Sequence, residues 1–332
     1  MDVVFSAMRP TGRLHLGHMA GALTNWVGLQ DGYDCYYSIV DWHALMSDYA
    51  DPSRLRENSR EVLLDWLAVG LDPNKCSIFV QSHVKEHIEL HMVLSMIAPL
   101  GWLERNPTYK DQILNLQNKD LSTYGFLGYP VLMASDILVY KAGKVPVGED
   151  QSAHLEISRE LARRFNNFYG QGREIFPEPE TLLTHYPKIP GTDGRKMSKS
   201  YGNSLDIADE IPVLDKKIRT MMTDPARERR TDPGEPEKCP VWDLQKFFND
   251  DASQMREIPQ GCRSASIGCI DCKKMLIAHV TERMTPIHER RARFVRRDGE
   301  LSDILAEGAK KARARAGATM SEVFDVLGML KL

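Results

Sequence analysis

Through the first eighty residues, short apolar runs alternate with amphipathic helical stretches, and few patterns restrict a fold as tightly. Residues 2–7 read as a strand, 17–29 as a helix, and 34–40 as a strand rich in Tyr, Ile and Val. Residues 53–68 read as a helix and 77–80 as a short buried strand. Strands separated by helices cannot be joined by hairpins, so this order implies parallel βαβ units and a doubly wound sheet. Ligands then belong at the carboxyl ends of the strands.

After about Asn203 the strand pattern stops, and helical periodicity continues, broken by a Pro/Gly/charge segment over 224–237 and by a cysteine-bearing loop. The expected architecture is α/β: a Rossmann-like doubly wound parallel sheet over residues 1–204, then a smaller all-helical domain over 205–332 whose last helix can pack back on the first. A length of 332 residues and 42% hydrophobic content suit two such cores and exclude a disordered or fibrous chain. Neither an internal repeat nor an extended low-complexity tract is visible. The first residues lack a basic segment followed by an apolar one, and no uninterrupted apolar stretch of about 18 residues occurs, so a soluble cytoplasmic protein without a membrane partner is expected.

The net charge of -3 conceals an uneven distribution. Between Arg283 and Arg315 there are ten Lys/Arg against five Asp/Glu. Such a stretch can attract a polyanion such as RNA, or can simply be a solvated helix face.

Immediately after the first strand comes Arg9-Pro10-Thr11-Gly12-Arg13-Leu14-His15-Leu16-Gly17-His18, a turn feeding a helix. Pro10 and Gly12 suit the turn, while Gly17 and Gly21 keep side chains away from a close approach. His15 and His18, three apart, share a helical face and can donate N–H bonds to phosphate oxygens as charge builds in an in-line displacement. Far downstream, a glycine-flanked loop carries Lys196-Met197-Ser198-Lys199-Ser200. Its two lysines are mobile point charges suited to a leaving pyrophosphate.

His15-Leu16-Gly17-His18 together with Lys196-Met197-Ser198-Lys199-Ser200 resembles the paired signatures of class I aminoacyl-tRNA synthetases. Phe5-Ser6, the run Val40 to Ala44, the run Pro130 to Leu138 and the run Val145 to Gln151 are similar to the bacterial tryptophanyl-tRNA synthetases, a likeness that extends essentially from end to end. The resemblance implies activation of L-tryptophan by ATP to tryptophanyl-adenylate plus pyrophosphate, then transfer to the 3′ end of tRNA(Trp), with Mg²⁺ bridging phosphate oxygens. It implies His15, His18, Lys196 and Lys199 as catalytic residues. It also places Arg9, Pro10, Thr11, Gly17 and His18 around ATP, Gly148, Glu149 and Asp150 at the ribose and adenosine, and Met197, Ser198 and Ser200 beside the phosphate-binding lysines. Some relatives carry Gln at the position of Arg9, whose extra cation would either strengthen a phosphate contact or turn to solvent. A homodimer is implied by the resemblance alone, and no DNA partner is expected.

Choosing tryptophan over tyrosine or phenylalanine requires reading the indole N–H, a donor without acceptor capacity. A buried carboxylate is the natural partner, and Asp136 lies in the apolar run Val131 to Val139. The resemblance puts Phe5, Val40, His43 and Met133 around the indole and Tyr129 and Gln151 at the α-amino group. For His43 a packed histidine at a strand end is an equal reading.

Of six cysteines, Cys239, Cys262, Cys269 and Cys272 follow C-x22-C-x6-C-x2-C, whereas Cys35 and Cys76 read as core residues. Four thiolates suit Zn²⁺ or a [4Fe–4S] cluster. Gly261 and Gly268, each preceding a cysteine, are expected to make tight turns that aim the sulfurs. The spacing, with Pro240-Val241-Trp242 and the run Ala265 to Cys269, resembles the synthetases that carry a [4Fe–4S] cluster in the anticodon-binding domain. That favours iron–sulfur, with zinc the alternative and a structural, RNA-positioning role. Arg263, Arg290 and Arg291 are then candidates for tRNA contact. Competing readings are a non-translational nucleotidyltransferase, a regulatory paralogue that binds RNA without charging it, and tyrosine as substrate.

Overall fold

The computed structural model describes residues 1–107, 109–110, 113, 120–147, 152–183 and 189–330. Five strands, β1 (Val3–Met8), β2 (Asp34–Ile39), β3 (Cys76–Val80), β4 (Lys144–Val147) and β5 (Glu180–Leu183), form one sheet in the order β3-β2-β1-β4-β5. Every pairing is parallel. Side chains alternate across it: Val4, Tyr37 and Ile78 enter one core while Phe5, Tyr36 and Phe79 enter the other. Chain order reverses between β1 and β4, which opens a crevice at their carboxyl ends. The first three strands match the sequence reading to within a residue or so; β4 and β5 do not emerge from it. Each has four residues, and Pro146 within β4 lacks a ladder donor, which weakens the pattern of a central strand.

The helix expected over 17–29 is composite. α1 (Leu16–His18) passes through a π-helical segment, Met19–Leu23, into α2 (Thr24–Leu29). Thr24 Oγ1 donates to the Met19 carbonyl at 2.8 Å inside this widened turn. Next come α3 (Asp41–Asp48), α4 (Leu55–Val69), α5 (Glu86–Ser95), α6 (Leu100–Glu104), α7 (Tyr124–Leu127), α8 (Tyr129–Leu138) and α9 (Ser152–Tyr169). The helical part consists of α10 (Ile211–Thr220), α11 (Pro240–Phe248), α12 (Ala252–Arg263), α13 (Cys269–Val295) and α14 (Asp298–Val326).

Two apolar cores flank the sheet. Trp26, Leu63 and Trp66 on one side continue without a break into Leu276, Val280, Met284 and Ile287 of α13. On the other, Ala309, Ala312, Ala316 and Met320 of α14 join Phe5, Phe79 and Tyr140. The last helix approaches β3 so closely that a Cβ on Gly308 would lie 1.9 Å from the Ile78 carbonyl oxygen. Cys35 and Cys76 are buried, in register on adjacent strands, and free. No helix among the described residues is long and apolar enough to cross a membrane.

Candidate active site and cysteine centre

His15 and His18 cap one another. His15 Nδ1 accepts from the His18 amide at 3.3 Å, and His18 Nδ1 accepts from the His15 amide at 3.2 Å. Because both Nδ1 atoms are acceptors, hydrogen bonding assigns each ring proton to Nε2, where it is available to an oxygen beyond the helix end. The rings stack with centroids 3.7 Å apart. Gly17 is required here: a Cβ would lie 2.9 Å from His15 Nδ1. Gly21 differs, since a Cβ there would meet open space. Burial first, then the charge of Lys199, lowers the pKa of His15 to about 4; burial, then the neighbouring His15, lowers that of His18 to about 3. Both are therefore neutral hydrogen-bond donors at neutral pH.

The lysine loop lies against this turn. Lys199 Nζ donates to the Thr11 carbonyl at 3.0 Å. Asn203 fastens the loop: its Oδ1 accepts from the Ser198 amide at 2.8 Å and its Nδ2 donates to the Lys196 carbonyl at 3.1 Å. Met197 is the anchor, buried in the core, while Lys196, Lys199 and Ser200 are exposed. Ser198 Oγ and Ser200 Oγ are 2.8 Å apart. Pro10 is buried and Thr11 exposed at the mouth. Arg9 is half-buried, and burial lowers its pKa against the opposing charge of Asp48.

Of the residues expected around the amino acid, His43 meets Asp136, a buried carboxylate on α8. His43 Nε2 is 3.0 Å from Asp136 Oδ2. Two partners and a residue behind them escape a sequence reading: Gln81 Nε2 donates to Asp136 Oδ1 at 2.7 Å, His87 Nδ1 is 2.6 Å from the same oxygen, and His87 Nε2 is in turn 2.7 Å from the Tyr140 hydroxyl. Burial alone would raise the Asp136 pKa, but the hydrogen bonds from His43 and His87 outweigh it and bring the pKa down to about 2. Phe5 stacks on Tyr140 at 5.5 Å, Val40 is buried, Met133 packs at the core edge, and Tyr129 begins α8. Gly148, Glu149, Asp150 and Gln151 lie outside the described residues.

Cys239 caps α11, Cys262 ends α12, and Cys269 and Cys272 share the first turn of α13. All four line one small cavity with Trp242, Ile258 and Ile267. Among the described residues, no group of three or more His, Cys, Asp or Glu is arranged to hold a metal ion. The glycines act differently from expectation. Gly261 is helical, and its missing Cβ leaves room for Ile267; Gly268 is the N-cap residue of α13. The glycine closest to a sulfur is Gly234, where a Cβ would stand 2.7 Å from Cys262 Sγ. Arg227 Nη1 and Gln245 Nε2 donate to Cys262 Sγ and Cys272 Sγ, each at 3.7 Å. As a free thiol Cys272 has its pKa raised by burial to about 12.

The arginines expected at an RNA surface divide. Arg263 is exposed and pairs with Glu237. Arg291 instead points inward, with Nε 2.8 Å from Asp65 Oδ1 and Nη2 2.6 Å from Glu61 Oε2. Arg290 Nε donates to the Ala68 carbonyl at 2.7 Å, a cation against the carboxyl end of α4. Their pattern in sequence is indistinguishable from that of a solvated face because their partners lie more than 220 residues away.

Comparison with known proteins adds a lineage to this geometry. Residues 2–285 match the family described as tRNA synthetases class I (W and Y). A tryptophan–tRNA ligase of Thermotoga maritima is 51% identical over 98% of this chain and 99% of its own. One from Deinococcus radiodurans is 44% identical over the whole of both chains (100% and 100%). Among solved structures, tryptophanyl-tRNA synthetase from Campylobacter jejuni complexed with ADP and tryptophan superposes with a TM-score of 0.87 at 34% identity, over 99% of this chain and 100% of that one. A tyrosyl-tRNA synthetase from Archaeoglobus fulgidus, at 19% identity and a TM-score of 0.67 over 87% and 90% of the two chains, shares the fold alone.

Proposed function

The chain belongs to the class I tRNA synthetases for tryptophan and tyrosine, and on that premise we propose that it activates L-tryptophan with ATP and transfers it to the 3′ end of tRNA(Trp). The observation that carries the choice of amino acid is Asp136, a buried carboxylate held ionised among His43, Gln81 and His87. An indole N–H satisfies such an acceptor. A phenyl ring brings no donor and a phenol O–H lies at a different point of the ring, so either forgoes this hydrogen bond while His43, His87 and Gln81 keep theirs, a loss that disfavours the wrong substrate.

No protein nucleophile is needed, because the tryptophan carboxylate attacks the α-phosphorus and pyrophosphate leaves. The terminal ribose of the tRNA then attacks the adenylate carbonyl and AMP leaves. This chain's contribution is positioning and charge stabilisation. His15 and His18 direct Nε2–H donors at phosphate oxygens. Lys196 and Lys199 follow the charge that migrates to pyrophosphate. Arg9, Pro10, Thr11, Gly17, Met197, Ser198 and Ser200 shape the nucleotide seat, with Gly148, Glu149 and Asp150 completing it at the ribose and adenosine. Phe5, Val40, His43 and Met133 enclose the indole, and Tyr129 and Gln151 receive the α-amino group. For a phosphate-borne Mg²⁺ the side chain that fits is Asp206, in bridge register with His15 and with a buried Oδ1 that has no hydrogen-bond partner among the described residues. When bound, that ion neutralises phosphate charge.

By donor type the four sulfurs on one cavity, with no carboxylate or imidazole among its lining residues, suit a soft thiolate-bound group; they are not arranged as a metal site in this structure, and it is the resemblance of their spacing that makes a [4Fe–4S] cluster held by Cys239, Cys262, Cys269 and Cys272 the assignment we favour over zinc. It would supply a structural cross-link, since aminoacylation transfers no electrons. Residues 1–204 form the catalytic unit and 205–332 the unit that receives the anticodon region, with Arg263 facing the RNA. A second copy of the chain covers the apolar groove lined by Ile88, Met92, Val93, Met96, Phe324 and Leu327, where Met92 and Met96 are 57% and 70% exposed. Cytoplasmic location follows from that role.

The deciding experiment is ATP–pyrophosphate exchange across the twenty amino acids, followed by charging of tRNA(Trp). Exchange with tryptophan alone and charging of that tRNA are expected. Exchange with tyrosine at a comparable rate overturns the substrate assignment.

A further inference from the structure

One polar chain joins the helical unit to the HLGH turn, and no step of the reaction above uses it. Asp65, on α4, has no exposed surface. Its Oδ2 accepts the Leu14 amide at 2.7 Å, the peptide that leads into His15. Its Oδ1 accepts Arg291 Nε at 2.8 Å, from α13. Glu61 Oε2 binds the same guanidinium at 2.6 Å and also Arg13 Nε at 3.0 Å. The Leu14 carbonyl accepts the Ile207 amide at 2.8 Å, and the Leu16 amide donates to the Leu205 carbonyl at 2.8 Å, so the turn is laced to the segment that follows the lysine loop. His288, one turn before Arg291 on α13, completes the clamp with Nε2 2.9 Å from the Ile207 carbonyl.

We propose that Asp65 and Arg291 are positioning residues through which the helical unit sets the HLGH turn, with His288 holding the opposite strand of the clamp. The proposal rests on the functional reading above and adds to it a route between the two units.

A carboxylate without exposed surface is costly unless paired, and Arg291 is the cation that touches it. If α13 shifts, Asp65 loses its counter-charge and becomes a weaker acceptor for the Leu14 amide. Burial already raises the Asp65 pKa, and Arg291 opposes that rise. Leu14 adjoins His15, so a displacement there is transmitted directly to the two phosphate-facing imidazoles. Arg291 lies 22 residues beyond Cys269 on the same helix, roughly 33 Å along its axis, with Pro286 interrupting the backbone ladder between them. The cysteine loop and the HLGH turn thus load opposite ends of one element.

The test uses full-length Asp65→Asn, Arg291→Met and Arg291→Lys. Tryptophan-dependent pyrophosphate exchange, thermal midpoints and backbone hydrogen–deuterium exchange are measured for each. Asp65→Asn and Arg291→Met are expected to lower the exchange kcat about 10- to 100-fold, the effect of a misplacement near 1 Å, with the tryptophan KM within about twofold. The double variant should be no slower than the slower single one. Amides over 14–18 and 205–207 should lose protection while those of α12 keep it, and Arg291→Lys should restore part of the kcat. Unchanged kcat in the folded variants overturns the proposal, as does a loss of protection spread evenly over α12, α13 and the turn, which marks a merely structural staple. If Arg291→Met does not fold, Arg291→Lys decides: unchanged protection at 14–18 overturns the proposal. Wild-type protein without tryptophan-dependent exchange would count against the functional reading, whereas the deuterium arm needs no substrate and still judges the relay.

Discussion

His87 and Asp136 form a buried pair in which the imidazole Nδ1 lies 2.6 Å from the carboxylate Oδ1 and the ring's other nitrogen lies 2.7 Å from the Tyr140 hydroxyl. In the neutral ring the Nδ1 proton is donated to Asp136 and Tyr140 donates to Nε2. One carboxylate oxygen, Oδ1, is thus shared by His87 and Gln81, whereas Oδ2 meets His43.

Replacing Asp136 by Ala is expected to remove about 1.5–3 kcal/mol, the range for a hydrogen bond to a charged group, or roughly 10- to 150-fold in kcat/KM for tryptophan-dependent exchange. His87→Ala should act in the same direction with a smaller effect, since Gln81 and His43 remain. Exchange kinetics with tryptophan and tyrosine check both; wild-type kinetics with tyrosine still rejected would remove Asp136 from the recognition step.

Lys199 rests on the Thr11 carbonyl, and Lys196 is exposed on the same loop. Either change to Ala is expected to lower kcat for adenylate formation by about 10²-fold or more while leaving the tryptophan KM nearly unchanged, because the charge they meet appears as pyrophosphate departs. A pure increase in tryptophan KM would contradict that role.

The stacked histidines give a pH dependence with a defined sign. Their folded pKa values, about 4 for His15 and about 3 for His18, lie below the ordinary value of 6.5. As pH falls from 6.5 toward 4, the unfolded chain takes up protons that the folded chain refuses, so folding stability decreases over that window. With allowance for solvent screening at His15, the two together should contribute a loss of about 2 kcal/mol between pH 7 and 5. Urea midpoints at the two pH values, compared with His18→Asn, measure it; the variant should show the shallower dependence.

Protein purified without oxygen is expected to be brown and to contain about four irons and four sulfides per chain. Cys269→Ser should lose that colour and depress tRNA charging more than pyrophosphate exchange, because the cysteines lie in the helical unit away from the nucleotide turn. Stoichiometric zinc in a colourless sample would replace the iron–sulfur assignment.

The first three strands, the HLGH turn and the lysine loop are legible in the chain because each depends on residues close in sequence: side-chain alternation, a glycine that admits the His15 ring, two lysines three apart. Asp136 is legible because an acid within an apolar run is costly to bury unless something pairs with it. Local patterns go no further. β4 hides behind Pro146, and Gly261 resembles a turn residue but lies in a helix against Ile267. Arg291 has the sequence appearance of a surface cation, and only folding brings Asp65 and Glu61 to it. His87, Gln81 and Tyr140 carry no motif, yet His87 and Gln81 bind the buried carboxylate of Asp136 and Tyr140 holds His87. Chemistry carried by one short segment is written in the order of its residues. Which charges are neutralised, and by whom, is decided by packing, because a side chain's partner across the core can be any residue that the sheet and helices bring within about 3 Å, however distant in the chain.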